Sequence, residues 1–277
     1  MADNNDKRAI LCPSCGKLIN SDAEECIHCG YKRPGRASLS SIISPLVGGD
    51  IGFIQITTVF CVALYILSIL IDPSALLKQS GLLSFLSPSI ISLDRLGMTG
   101  TFAISQGRWW TLVTAIYLHG SLIHIFFNLW WIRSLGPTVE ELFGTWRLIL
   151  IFTISGVIGF TASTAFGIQA TIGASGSIFG FLGALIFYGR DRGGTFGQAM
   201  YRQLITWAIF MFVFGLLFPR VDNWAHAGGF IGGYLSAMLL GYSEKKQETI
   251  FMKNAAAAVI IGTVVCFLLA FWNGFIA

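Results

Sequence analysis

Ser175 and His226 are the residues of this sequence best suited to work as a chemical pair. A serine hydroxyl is a weak nucleophile until a base takes its proton, and histidine does so near neutral pH. The carbonyl under attack becomes an oxyanion, which needs hydrogen-bond donors placed in advance. His124 and Asn128 carry such donors, and their i, i+4 spacing puts them on one face of a helix. With the Ser175 backbone N–H they form a set suited to acyl transfer. Each also has a plainer reading. Ser175 could cap a helix start, His226 could be a packed polar side chain, and His124 and Asn128 could bond between helices. His119 divides between loop structure and the mouth of a site. Asp222, one turn before His226, reads as a helix N-cap, with orientation of the histidine as the alternative.

The elements that must position these residues are membrane helices. Hydrophobic residues make up 54% of the chain and charged residues 12%, about half the charged share of a soluble domain. Uncharged runs of 21 residues follow Asp50, 24 follow Arg108, 42 follow Arg147, 17 follow Arg202, 21 follow Asp222 and 24 follow Lys253. A helix needs roughly 20 apolar residues to cross a bilayer, so the longest run holds two spans with a turn near residues 166–172. Seven spans result. The stretch Gln79–Leu93, interrupted by Pro88, is too short to cross and reads as interfacial. No cleavable signal peptide is visible in the polar first 40 residues.

Placing the N-terminus in the cytoplasm leaves only Lys78, Arg95, Arg108 and Arg220 on the outer side among the lysines and arginines, as the positive-inside rule prefers. Arg133, Glu140, Glu141 and Arg147 then fall in a cytoplasmic connection between spans 2 and 3. Spans 2, 4 and 6 run inward from the outer face. Ser175 and His226, each near the start of its span, should share a depth about 5–10 Å below that face. Gly176 with Gly180, and Gly229 with Gly233, are Gly-x-x-x-Gly pairs that let two membrane helices approach closely.

The head of the chain is different. Cys12-x-x-Cys15-Gly and Cys26-x-x-Cys29-Gly present four thiolates with the spacing of a tetrahedral zinc site. A disulfide pair is the competing reading, disfavoured in a reducing cytoplasm. About 30 residues without a core of their own fold only around the metal. The expected organisation is a zinc-ribbon module over 1–35, a linker over 36–50, a six-helix core over 51–242, and an additional transmembrane helix within 243–277. Zinc ribbons dock proteins, nucleic acids or nothing. Only a structural role follows here, and no nucleic-acid partner is expected.

Three motifs carry a family resemblance. Gly173-Ala174-Ser175-Gly176 matches a Gly-x-Ser-Gly nucleophile motif, Ala225-His226-Ala227-Gly228-Gly229 continuing to Gly233 matches Ala-His-x-x-Gly-x-x-x-Gly, and His124 to Asn128 matches His-x-x-x-Asn. In these the chain resembles the rhomboid intramembrane serine proteases over residues 51–242. The fold class implied is an all-α polytopic membrane protein, a rhomboid-like core with one extra C-terminal helix.

The resemblance implies cleavage of single-pass membrane proteins near the outer face by a Ser175–His226 dyad, with His124 and Asn128 at the oxyanion and no catalytic cofactor. It implies that Phe179 stacks on the catalytic histidine, where tyrosine is common, and a location in a bacterial inner membrane. The usual Trp-Arg before span 2 is absent: Thr111 follows Trp110, and Arg108 lies upstream. A catalytically silent membrane-protein binder and a transporter with a polar path are the competing functions. The first usually lacks Ser or His, and the second needs polar residues through the whole bilayer.

Overall fold

A computed structural model describes residues 9–12, 16–35, 52–77, 84–218 and 221–277. The head is a two-stranded antiparallel hairpin, β1 (Ala9–Leu11) and β2 (Leu18–Asn20), followed by a turn-rich segment. The rest is helical. Helix α1 (Phe53–Ile71) leads to three short helices, α2 (Ile90–Arg95), α3 (Thr101–Ser105) and α4 (Thr111–Thr114). Six long ones follow: α5 (Leu122–Phe143), α6 (Thr145–Ala165), α7 (Ser175–Arg192), α8 (Gly194–Leu216), α9 (Asn223–Leu240) and α10 (Ile250–Phe275).

Seven helices of 18 residues or more thus stand among the described residues in the expected order. By length and composition four of them, α1, α6, α8 and α10, are apolar enough to cross a membrane. A fifth span arises if Thr111–Tyr117 and α5, bent by 91°, are joined. The other two, α7 and α9, miss the criterion because α7 ends on Arg190, Asp191 and Arg192 and α9 opens on Asn223 and His226, with glycines diluting both. They lie at the centre of the bundle, packed on each other and with α9 also on α6. Glycines on both helices, Gly176 and Gly180 against Gly229 and Gly233, bring them close.

Span 2 departs from expectation. The uncharged run after Arg108 is not one helix. Its first part forms α4 and a 3-10 turn, and a straight helix begins only at Leu122, where the Ser121 side chain accepts from the His124 N–H at 3.2 Å. Because α5 starts late it also ends late. Arg133, Glu140 and Glu141 therefore lie inside α5 rather than in a connection, and the link to α6 is the single residue Gly144, at φ +89°. Glu140 accepts from the Thr145 hydroxyl at 2.7 Å. Of the stretch expected to lie at the interface, residues 79–83 fall outside the described set. The remainder forms a turn and α2, whose Ile90 and Ile91 are exposed.

Helix α10 packs on α6, α4 and α2. Its connection to α9 is tied to the core through Arg147, which is fully buried. The Arg147 guanidinium donates to the Phe143 and Lys246 carbonyl oxygens, and its backbone N–H donates to Glu248 Oε1 at 2.9 Å.

Candidate active site

Ser175 is the first residue of α7, and the segment before it is fastened at several points. Gly173 N–H donates to the Ala115 carbonyl at 2.9 Å, and Thr99 and Thr171 exchange backbone hydrogen bonds of 3.3 and 2.8 Å. Gly173 sits at φ +123°, where a side chain is strained, and an added Cβ would lie 2.7 Å from His124 Nε2. Only glycine turns the chain this tightly beneath the imidazole.

His226 comes from the first turn of α9, whose start is set by Asp222: its Oδ1 accepts from Ala225 N–H at 3.0 Å and its Oδ2 accepts from the Ser163 hydroxyl. The approach of α9 to α7 is controlled by glycine. A Cβ on Gly233 would lie 2.0 Å from the Gly180 carbonyl oxygen, a distance no packing can absorb. The result is a hydrogen bond of 2.9 Å between Ser175 Oγ and His226 Nε2. Phe179, one turn below Ser175, lies on the imidazole at 4.2 Å between centroids and 16° between planes. His226 Nδ1 is buried without a hydrogen-bond partner among the described residues. Asp222, occupied by the cap and by Ser163, does not fill that place.

His124 accepts the Gly120 N–H at Nδ1, 3.3 Å away, which assigns the ring proton to Nε2, the nitrogen facing Gly173. Asn128 lies one turn deeper. Its amide donates to the His124 carbonyl at 2.8 Å, and its Oδ1 is buried without a partner among the described residues. His119 is fully buried, edge-on to His124 at 5.1 Å. The structure therefore joins Ser175, His226 and Phe179 directly, sets His124 beside Gly173, and leaves Asn128 bonded to its own helix.

A Rhomboid domain family model matches residues 106–243. YdcA of Bacillus subtilis (strain 168) is 33% identical over 146 residues, which are 52% of this chain and 73% of YdcA. The chain belongs to the rhomboid family. Rhomboid protease GluP of the same organism is 36% identical over 158 residues, 57% of this chain and 31% of GluP. RHOMBOID-like protein 5 of Arabidopsis thaliana is 34% identical over 161 residues, 56% of this chain and 52% of that protein. The chain thus spans a third to a half of the length of these last two relatives. Family membership and the apolar helices make it an integral membrane protein.

In this rhomboid protein a third helix completes the site, and it was not singled out in the sequence. On α6, an added Cβ at Gly159 would lie 2.6 Å from the Ala225 carbonyl oxygen, and one at Gly156 would lie 2.5 Å from Ser177 Oγ. The Gly-x-x-Gly spacing is the signal that could have found them, and it is weak because glycine is common in membrane helices. Arg108, displaced from the family's usual position, is buried and pairs with Asp94 at 2.9 Å.

The cysteine head holds the second candidate site. The sulfurs of Cys12, Cys26 and Cys29 lie within 4.8 Å of one another; Cys15 falls outside the described residues. Gly16 and Gly30 take φ of +71° and +72° at the ends of two knuckles closed by Gly16 N–H to Cys12 O and Gly30 N–H to Cys26 O. Desolvation pushes the Cys26 thiol up. The N–H groups of His28 and Cys29, together with the Cys12 and Cys29 thiols, outweigh this and bring it down to about 7. A thiol that ionises near neutral pH, clustered with two more sulfurs, fits a soft divalent cation.

Proposed function

We propose that this rhomboid protein is an intramembrane serine endopeptidase acting on single-pass membrane proteins, with Ser175 as nucleophile and His226 as general base. The observation that carries the reading is the 2.9 Å hydrogen bond between Ser175 Oγ and His226 Nε2. Ser175 attacks the scissile carbonyl as its proton passes to Nε2. The new C–O bond turns the carbonyl oxygen into an oxyanion. His124 Nε2–H, the Asn128 amide and the Ser175 N–H, one of the free donors at the start of α7, are its donors. Asn128 turns from the His124 carbonyl to reach it.

His226 then gives its proton to the departing amine, leaving an acyl-enzyme. Water, activated by the same imidazole, releases the acid. Phe179 holds the ring plane through both transfers, and no cofactor takes part. The N-terminus lies in the cytoplasm, so Ser175 opens toward the outer face of a bacterial inner membrane. Cys12, Cys15, Cys26 and Cys29 hold a structural zinc ion that organises the head.

Covalent labelling by a fluorophosphonate probe in detergent tests the reading. Labelling of the unmodified chain that disappears in both Ser175→Ala and His226→Ala supports an activated serine. A folded chain that resists labelling, also in lipid, overturns it and leaves a membrane-protein binder without catalysis.

A further inference from the structure

A cavity of about 900 Å³ opens beside the catalytic helices, between α2, α3, the last turn of α10 and the segment before Ser175. Its polar lining includes Arg95, Arg108, Ser105, Thr101, Gln169 and Asn273. Two guanidinium groups against one carboxylate, Asp94, leave the lining with a net positive charge. Arg95 makes no ion pair among the described residues. Arg108 is 6% exposed, spends one amino group on Asp94 Oδ1, and keeps a buried Nε without a partner.

Both guanidinium groups are laid over aromatic rings, Arg95 over Phe275 and Arg108 over Phe102, each at 5.8 Å. Stacking occupies the flat face of an arginine and leaves its N–H edge, which matches two oxygens of a phosphate. With hydroxyl and amide donors alongside, the cavity suits an anion rich in acceptor oxygens.

Position separates a lipid from a soluble phosphate. The cavity lies at the end of α10, a 26-residue apolar helix. That is long enough to carry its ends to the headgroup layer, at about 1.5 Å per residue. Its rim is apolar and outward-facing: Ile90, Ile91 and Phe102 are 73%, 63% and 59% exposed. A free anion gains nothing from those residues, whereas the acyl chains of a lipid cover them. We propose that this cavity binds the phosphate-bearing headgroup of an anionic membrane phospholipid. The assignment is independent of any proteolytic activity.

Native mass spectrometry of the full chain, released from detergent with equal amounts of phosphatidylglycerol and phosphatidylcholine, reads the site. Phosphatidylglycerol is expected to be retained in preference, and Arg95→Gln to cut that preference by about fivefold, the contribution of one basic group near anionic lipid. Arg202→Gln, an exposed arginine of α8 outside the cavity, should change nothing. Equal retention of the two lipids, or equal losses in Arg95→Gln and Arg202→Gln, overturns the proposal. Displacement of the lipid by inorganic phosphate at matched concentration also overturns it, in favour of a soluble anion. Arg95→Gln should melt at the unmodified temperature in lipid-free detergent; lowered melting with the lipid preference intact would mark Arg95 as structural only.

Discussion

Gly229 stands against Gly176 so closely that a methyl group on Gly229 would lie 2.1 Å from the Gly176 carbonyl oxygen. The two residues flank the proposed dyad, Gly176 one position after Ser175 and Gly229 three after His226. Gly229→Ala must push α9 off α7 and lengthen the Ser175–His226 hydrogen bond. The expected outcome is loss of probe labelling by at least about tenfold, with stability reduced by about 1–3 kcal/mol. Gly262→Ala on α10 meets nothing within 4 Å and should label normally. Normal labelling of Gly229→Ala would show that the helix pair tolerates separation.

Phe179 fixes the plane of the imidazole rather than its protonation. Phe179→Leu should lower kcat between about twofold and about tenfold, the scale of a lost ring–ring contact of about 0.5–1.5 kcal/mol, with KM little changed. Cleavage of a single-pass reporter in detergent provides both constants. A rise in KM at constant kcat would instead make Phe179 a substrate contact.

Asp222 caps α9 and does not orient His226. Asparagine caps as well as aspartate, so Asp222→Asn should keep nearly full labelling. Asp222→Ala should cost about 1 kcal/mol of stability while retaining a labelled serine. Labelling lost in Asp222→Asn, with melting unchanged, would assign the carboxylate a direct electrostatic role at His226.

The cysteine head should purify with one zinc per chain by elemental analysis. Chelation, or Cys26→Ser, should expose residues 9–35 to protease while Ser175 labelling persists, because the head packs around its own small cluster of Cys12, Ile19 and Cys26. Labelling that falls together with the metal would couple head and core.

Much of this was legible in the sequence because expensive residues are informative. A histidine or asparagine in a membrane helix demands a reason, and glycine pairs four apart announce close helices. Helix direction sets Ser175 and His226 at one depth, and Phe179 enters only through the family resemblance. The roles of His124 and Asn128 were not readable to the same degree, since the Asn128 amide has a local partner that spacing cannot show. The start of α5 is not legible in the uncharged run, because charge-free length records how much chain avoids water, not where it bends. Four residues before His124, Gly120 gives its N–H to the imidazole, and Ser121 caps the helix. The cap and turn around them, not hydropathy, set the boundary. Likewise α7 and α9 carry glycine where they face each other, and hydropathy reads them as weaker spans because α7 ends on Arg190, Asp191 and Arg192 and α9 opens on Asn223 and His226.

Arg147 has a consequence in time. Its guanidinium, bonded to the nearby Phe143 carbonyl, takes a second acceptor from Lys246, 99 residues later in the chain. During synthesis the segments that carry Ser175 and His226 are therefore made while the Arg147 guanidinium has only the Phe143 carbonyl to bond, and it gains a second acceptor only when the segment leading to the last helix arrives. A chain halted after α9 would hold Ser175 and His226 yet leave one amino group of the buried Arg147 without its acceptor, which favours opening there. The arginine thus ties the interior of the bundle to the segment that leads into its last helix.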